Sequence, residues 1–341
     1  MTPSDHQSDH PIELRRLHDA AAVESAVFEI KRVIAGQDEM LERVFVCLLA
    51  GGHLLIEGVP GLAKTLTIKT TAAALGGTFH RIQFTPDLVP SDLVGTRVFR
   101  PDSGTFDTEQ GPVFCNFLLA DEINRAPAKV QSALLEVMQE HQVTIGRETM
   151  PVPDPFLVMA TQNPIESEGT YPLPEAQIDR FMLKVVVGYP DPEDELTVVE
   201  RALEPVGAVR SVVDLDELAA LRTLVGQVYV DPAVSRYAVA LAGATRSPEA
   251  AGIAEMGRYV EFGASPRGSI SLVVAARALA LIRGRDYVVP QDLVDLAHDV
   301  LRHRLVLSYE AIATGVGEDA LIDAALAAVP VPRLDVAERA A

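Results

Sequence analysis

Several short stretches of the chain hold the residue types that phosphate chemistry needs. The first is Gly58-Val59-Pro60-Gly61-Leu62-Ala63-Lys64-Thr65, which follows an apolar run and precedes a helical pattern. Its glycines allow backbone N–H groups to point at phosphate oxygens, and the start of a helix adds partial positive charge. Lys64 would reach the β- and γ-phosphates, and the Thr65 hydroxyl would ligate Mg²⁺. A Gly-Pro turn beside an exposed lysine would also explain this stretch.

One position of this loop departs from the general pattern. Ala63 stands where a third glycine is usual. A methyl group is tolerated there only if the residue has helical φ, and a position at the helix start would allow it. We therefore expect Ala63 to have helical φ.

Polar residues at the ends of two further apolar runs supply acid–base chemistry. Leu118-Leu119-Ala120 ends in Asp121 and Glu122, and Phe156 to Ala160 leads to Asn163. Asp121 would hold Mg²⁺ through its water shell, and Glu122 would polarise an attacking water as general base. Asn163 could orient that water. The alternative for Asp121 and Glu122 is that a strand merely ends at two exposed acids, and the alternative for Asn163 is a turn asparagine before a proline.

Phosphoryl transfer gathers negative charge in its transition state, so arginines are expected near the γ-phosphate. Arg180 ends a short predicted helix, and Arg267 opens a longer one. A single arginine at a helix end usually lies at the surface, so spacing alone does not assign either residue a role.

Composition limits the classes of protein to which the chain can belong. Its 341 residues suffice for two domains, and no apolar run is long enough to span a bilayer. The polar N-terminus shows no export signal, and Cys47 and Cys115 are expected to be reduced core residues of a cytoplasmic protein. A net charge of −19 argues against extensive nonspecific contact with nucleic acid.

The pattern of apolar residues predicts two regions after a disordered segment at residues 1–18. Alternating strands and helices over 19–189 predict an α/β fold with a mostly parallel sheet. Inserted hairpins are predicted at 86–112 and 142–152. Helical patterns then dominate 190–341, at about 192–204, 214–225, 231–245, 266–284, 290–302 and 317–328.

Together these stretches resemble the MoxR-type branch of the AAA+ ATPases. The resemblance rests on the loop at 58–65, on Leu119-Ala120-Asp121-Glu122-Ile123-Asn124-Arg125-Ala126-Pro127, on Ala160-Thr161-Gln162-Asn163-Pro164, on Gly169-Thr170-Tyr171-Pro172-Leu173-Pro174-Glu175-Ala176-Gln177-Ile178-Asp179-Arg180-Phe181, and on Ala264-Ser265-Pro266-Arg267-Gly268-Ser269. It covers roughly residues 30 to 305. Alanine at position 63 is usual in this branch.

The resemblance implies an αβα nucleotide-binding core, an all-helical lid and assembly into a hexameric ring. Asn163 resembles the first sensor, Arg180 a finger that reaches a neighbour's site, and Arg267 the lid's sensor in its own subunit. Val33 to Gln37 resembles the segment that packs on adenine, and Arg125 a contact between subunits. The implied ATP contacts are Gly36, Gln37, Gly58, Val59, Pro60, Gly61, Leu62, Ala63, Lys64, Thr65, Leu66 and Asp121, with Thr65 and Asp121 also serving Mg²⁺.

Members of this branch are ATPases that remodel or mature a partner protein. They typically act with a von Willebrand factor A-domain partner, often in the insertion of a metal or cofactor, so the resemblance implies such a partner and a client protein. A nucleic-acid-dependent motor is the alternative, because related clades with similar hairpins translocate DNA. The hairpins here lack the interleaved aromatic and basic residues that stack bases.

Overall fold

The computed structural model describes residues 10–59, 61–164, 169–204 and 207–333. Its first region contains, in chain order, α1 (His10–Lys31), α2 (Asp38–Ala50), β1 (Leu54–Glu57), α3 (Lys64–Ala74), β2 (Phe79–Gln83), α4 (Pro90–Val94), β3 (Gly95–Arg100), β4 (Thr105–Gln110), β5 (Phe117–Asp121), α5 (Ala128–Glu140), β6 (Gln142–Ile145), β7 (Glu148–Pro151), β8 (Leu157–Gln162), α6 (Glu175–Ile178) and β9 (Leu183–Val186). Helix α1 begins at His10, inside the segment predicted to be disordered. Residues 1–9 lie outside the described residues.

Five strands form one parallel sheet in the order β2-β5-β8-β1-β9. Successive side chains of a strand point to opposite faces, so apolar runs such as Leu54-Leu55-Ile56 supply both faces at once. Leu54 and Ile56 join one buried cluster, and Leu55 joins the other. The predicted layered α/β fold is confirmed. Because the strands are parallel, their carboxyl ends all lie on one side of the sheet, which we call its carboxyl edge, and their amino ends lie on the opposite side, its amino edge.

Two antiparallel hairpins, β3–β4 and β6–β7, lie outside the central sheet. They fall inside the predicted inserts and are joined by a hydrogen bond from the Thr108 hydroxyl to the Glu148 carboxylate at 2.9 Å. Helix α4, which leads into the first hairpin, was not predicted.

The second region contains α7 (Pro192–Leu203), α8 (Leu215–Gln227), α9 (Pro232–Arg246), β10 (Val260–Phe262), α10 (Pro266–Ile282), α11 (Pro290–Leu301), β11 (Val306–Leu307), α12 (Tyr309–Thr314) and α13 (Glu318–Ala328). Six of these helices match the predicted ones. The pair β10–β11 and helix α12 were not predicted, so the lid is mainly rather than entirely helical. Its residues 205–206 and 334–341 lie outside the described chain.

The described part of the lid shares its hydrophobic core with the first region. Helix α10 packs against α2, and the buried cluster on that face of the sheet continues from α2 into α8, α9, α10 and α11. Among the described residues, no helix is both long and apolar enough to cross a bilayer.

Candidate functional site

The loop that follows β1 lies at the carboxyl edge of the sheet, between the ends of two neighbouring strands. The Gly58 N–H donates to the Gln162 carbonyl of β8 at 3.3 Å. A Cβ at Gly58 would lie 2.8 Å from the Val187 carbonyl oxygen, which follows β9. Glycine is therefore needed at this position because the backbone of the next strand comes too close for a side chain.

The backbone of the rest of the loop differs from the predicted helical φ at Ala63. Gly61 has φ +90°, and Ala63 has φ +55° and ψ +13°. Ala63 is therefore left-handed rather than helical, and helix α3 begins one residue later, at Lys64. This backbone region favours glycine, so the methyl group at position 63 introduces local strain. Pro60 lies outside the described residues.

The Lys64 ammonium lies over this loop and close to the predicted acid pair. Its Nζ donates to the Gly58 carbonyl at 2.6 Å. Partial burial lowers the pKa of Lys64, and the negative charges of Asp121 and Glu122 oppose that shift. Three residues that are far apart in the sequence therefore act electrostatically on one another.

Asp121 ends β5, and a neighbouring strand fixes its carboxylate. The Thr161 hydroxyl on β8 donates to Asp121 Oδ1 at 2.6 Å and accepts the Glu122 N–H at 2.9 Å. Arg81 on β2 donates to Asp121 Oδ2 at 2.7 Å. The buried Thr161 side chain thus sets the positions of both acids.

Glu122 turns sharply out of the strand, with φ +56°. Its Oε2 accepts a hydrogen bond from the Gln83 amide at 2.8 Å and pairs with Arg125 Nε at 3.1 Å. Arg125, for which a contact between subunits was expected, therefore contacts the acid of its own chain. These two partners hold the carboxylate at the carboxyl edge of β2 and β5.

Asn163 directly follows β8 and is buried, with 7% of its surface exposed. Gln162 precedes it and bonds to Gly58, so Asn163 lies beside the start of the phosphate loop. The structure thus brings Lys64, Asp121, Glu122 and Asn163 to one edge of the sheet.

The segment expected to pack on adenine lies at the same edge. Gly36 and Gln37 both have positive φ, of +64° and +58°. The Gln37 side chain donates to the Gly188 carbonyl, just beyond β9, at 3.4 Å. A base held there would lie on the β9 side of the loop.

The donor set at this edge fits ATP with Mg²⁺. A hydroxyl at Thr65 and a carboxylate at Asp121 are hard oxygen ligands of the kind that Mg²⁺ prefers. Lys64 and Thr65 open an 11-residue helix, α3, whose N-terminus faces the loop. Of the other residues implied to contact ATP, Leu62 is buried and Leu66 is 44% exposed.

Arg180 lies at the opposite edge of the sheet. It precedes β9, whose first residue Leu183 pairs with Leu54, the first residue of β1. Its Nη1 donates to the Leu135 carbonyl of α5 at 2.8 Å. The length of β1, roughly 10 Å, and the adjoining residues separate Arg180 from its own phosphate loop.

Arg267 is also at the amino edge, which corrects the expectation that it serves its own phosphate loop. Its guanidinium lies 3.9 Å from Asp179, and it lines a cavity of about 250 Å³ together with Arg180. The start of α10 is fixed there by the Ser265 hydroxyl, which donates to Asp179 at 2.9 Å. Both predicted arginines therefore face away from the site of their own chain.

Thr161, Gln83 and Arg81 were missed in the sequence, although all three touch the acid pair. Gln83 pairs with Asp121 across β2 and β5, and Thr161 reaches them from β8. Only the strand order makes these residues neighbours. For Thr161 the one local signal was a polar residue near the end of a buried strand, and β2, which carries Gln83, is too exposed to give even that.

The chain is similar to known proteins over nearly its whole length. Residues 53–183 match the ATPase family associated with various cellular activities (AAA), and residues 255–325 match the AAA lid domain. Chaperone MoxR1 of Mycobacterium tuberculosis is 54% identical, with 92% of this chain and 83% of that protein covered. Protein MoxR of Paracoccus denitrificans is 35% identical, covering 93% and 96%. The crystal structure of a protein assigned as an ATPase from Cytophaga hutchinsonii matches with a TM-score of 0.90 at 45% identity, covering 95% and 99%.

Proposed function

The chain belongs to the MoxR family of AAA+ ATPases, and from this premise we propose that it hydrolyses ATP to ADP and phosphate at the carboxyl edge of its sheet. The observation that carries the proposal is that the loop with Lys64 follows β1 and that Asp121 and Glu122 lie at the end of β5, two strands that flank β8 in one parallel sheet. Phosphate binding and acid–base groups are thereby combined at one place.

Each residue then has one task. Glu122 accepts a proton from the water that attacks the γ-phosphorus, and Asn163 orients that water. Lys64 and the N–H groups of the loop bind the phosphate oxygens. Mg²⁺, held by Thr65 and Asp121, would neutralise charge on the β- and γ-phosphates.

A second copy of the chain would supply the arginine charge that phosphoryl transfer needs near the γ-phosphate. Arg180 is held at the amino edge by Leu135, and Arg267 lies beside it, so neither is placed to reach the phosphates of its own chain. In a head-to-tail ring, the amino edge of one subunit would face the carboxyl edge of the next. We propose a hexamer, the ring size implied by the family.

The proposal is tested by steady-state ATP hydrolysis with and without Mg²⁺. Lys64→Ala should lower kcat by roughly 100-fold or more, because it removes a charge aimed at the transferred group. Lys69→Ala is the matched control, since Lys69 is an exposed lysine of the same helix. Hydrolysis by Lys64→Ala at the wild-type rate would disprove the site.

The work done with ATP is proposed to be the remodelling or maturation of a client protein in the cytoplasm, with a von Willebrand factor A-domain partner, in metal or cofactor insertion. The name of Chaperone MoxR1 supports a chaperone role, and the two buried free thiols, Cys47 and Cys115, suit a reducing compartment. Titration of a purified A-domain protein from the same genome should show binding to Glu122→Gln with ATP. Equal binding to Lys64→Ala would exclude nucleotide control.

A further inference from the structure

One turn of the lid holds the stretch that carries Arg180. This turn, Arg302–Arg304, which we call the lid clasp, follows α11 and contacts residues 179–184 through all three side chains. Arg304 makes most of these contacts. Its Nε pairs with the Asp179 carboxylate at 2.7 Å, and its Nη2 donates to the Phe181 carbonyl at 2.8 Å.

Further hydrogen bonds make the attachment specific. Arg304 also donates to the Met182 carbonyl at 3.2 Å and, on the lid side, to the Val300 carbonyl and the Ser271 hydroxyl. His303 donates to the same Phe181 carbonyl at 3.0 Å. The guanidinium thus joins α10 and α11 to the backbone on both sides of Arg180.

The burial of this contact makes it hard to replace. The Arg304 side chain is 1% exposed, and burial lowers its pKa to about 10 while Asp179 opposes the shift. It stays protonated at neutral pH and needs all of its acceptors, because an unpaired buried charge is strongly unfavourable. The five donors of arginine form a planar fork that lysine cannot reproduce.

Arg180 is therefore held between two fixed residues. Asp179 and Phe181 flank it in the chain, and both are bound by Arg304, whereas within the described residues the Arg180 guanidinium makes one hydrogen bond, to Leu135. A shift of the lid clasp would move the backbone of Arg180 directly. A shift of the phosphate loop, at the other edge of the sheet, would not.

We propose that Arg304 is a positioning residue for Arg180, fixing through Asp179 and the Phe181 carbonyl the guanidinium that is presented to the neighbouring subunit. The lid of one subunit then sets the rate of hydrolysis in the next. This inference rests on the proposed function, in which Arg180 acts across a subunit interface.

The test is a mixing experiment with Arg304→Gln. Alone, this variant should lose roughly 10- to 100-fold in kcat, because small misplacements of a catalytic group have effects of that size. Its KM for ATP should stay within about twofold, since its own phosphate loop is untouched. Mixed equally with Glu122→Gln, it should regain activity at the roughly one interface in four that joins its intact Glu122 to an intact finger.

Matched variants separate positioning from general damage. Arg180→Ala mixed with Glu122→Gln is the positive control for action across the interface. Arg285→Gln also removes an arginine from a buried lid carboxylate, Asp292, without contacting residues 179–184, and should keep wild-type kcat. Arg304→Lys should recover part of the lost kcat, because it keeps the charge opposite Asp179.

Each outcome decides the matter. If Arg180→Ala is rescued by mixing and Arg304→Gln is not, Arg304 serves its own subunit and the inference is wrong. If neither is rescued, the proposed action of Arg180 across subunits fails first. Should Arg304→Gln fail to fold, Asp179→Asn removes the same ion pair with no change in size. Wild-type kcat in Asp179→Asn would overturn the inference.

Discussion

His53, immediately before β1, should make the stability of the protein depend on pH between neutrality and pH 5. Its ring is buried, and both nitrogens have partners in the neutral form. Nε2–H donates to the Met138 carbonyl at 3.0 Å, and Nδ1 accepts the Val158 N–H at 3.1 Å. Protonation would place a second donor against the Val158 N–H, which has no lone pair to offer.

The pKa shift of His53 sets the size of the change in the free energy of unfolding. Burial lowers the pKa of His53 from 6.5 to about 4; the Met138 carbonyl opposes the shift, and the nearby charges of His141 and Arg222 add to it. The unfolded chain therefore binds more protons than the folded one below pH 6.5. The contribution of neutral His53 to the free energy of unfolding is present above that pH and is lost as the pH falls towards 4. The loss is about 2 kcal/mol at pH 5 and about 3 kcal/mol when it is complete.

The assay compares urea unfolding of wild type and His53→Gln at pH 7.5 and pH 5. Glutamine offers an amide donor and acceptor but does not titrate, so the variant should lose about 2 kcal/mol less than wild type over this interval. His303, whose pKa burial also lowers, is present in both proteins and cancels in the comparison. An equal difference between the two proteins at both pH values would refute the reasoning.

Two smaller changes test the site itself. Thr161→Val removes the hydroxyl shared by Asp121 and Glu122, so the free energy of unfolding should fall by about 1–3 kcal/mol and kcat by roughly tenfold. In the same urea and ATPase assays, Thr71→Val, which deletes a buried hydroxyl that donates to the Thr67 carbonyl of α3, should leave kcat unchanged. Ala63→Gly should raise the free energy of unfolding by about 0.5 kcal/mol by removing strain at positive φ, and Ala63→Val should lower it by about 1–2 kcal/mol. A free energy of unfolding that is higher for Ala63→Val than for Ala63→Gly would contradict the inferred strain.

The phosphate loop and the acid pair were predictable because each is a local pattern. A buried strand, two glycines and a helix start follow one another directly in the sequence, and Asp121 and Glu122 follow their own strand. The parallel sheet then brings these ends together without further information. The local pattern predicts helical φ for Ala63, but the helix begins one residue later, and φ changes sign at that boundary.

What the sequence could not supply are contacts between distant segments. Thr161 belongs to the acid pair only because β8 lies beside β5, and Arg304 belongs to the segment of Arg180 only because the lid docks on β9. The sequence motif identifies Arg267 as a lid arginine but does not show on which face the lid packs, so it cannot tell which subunit's site the residue serves. The contact that decides its position is Ser265 with Asp179, which are 86 residues apart.

The polarity of the sheet explains why these predictions divide as they do. In a parallel sheet every loop that follows a strand emerges at one edge, so Lys64, Asp121, Glu122 and Asn163 converge whatever the lid does. Arg180 precedes a strand and must emerge at the other edge. A side chain at the amino edge can stabilise charge at the carboxyl edge only of another subunit. Its position there depends on the contacts that hold it in its own subunit. For Arg180 the proposed support is Arg304, and on that proposal the lid is the element best placed to connect one site with the next.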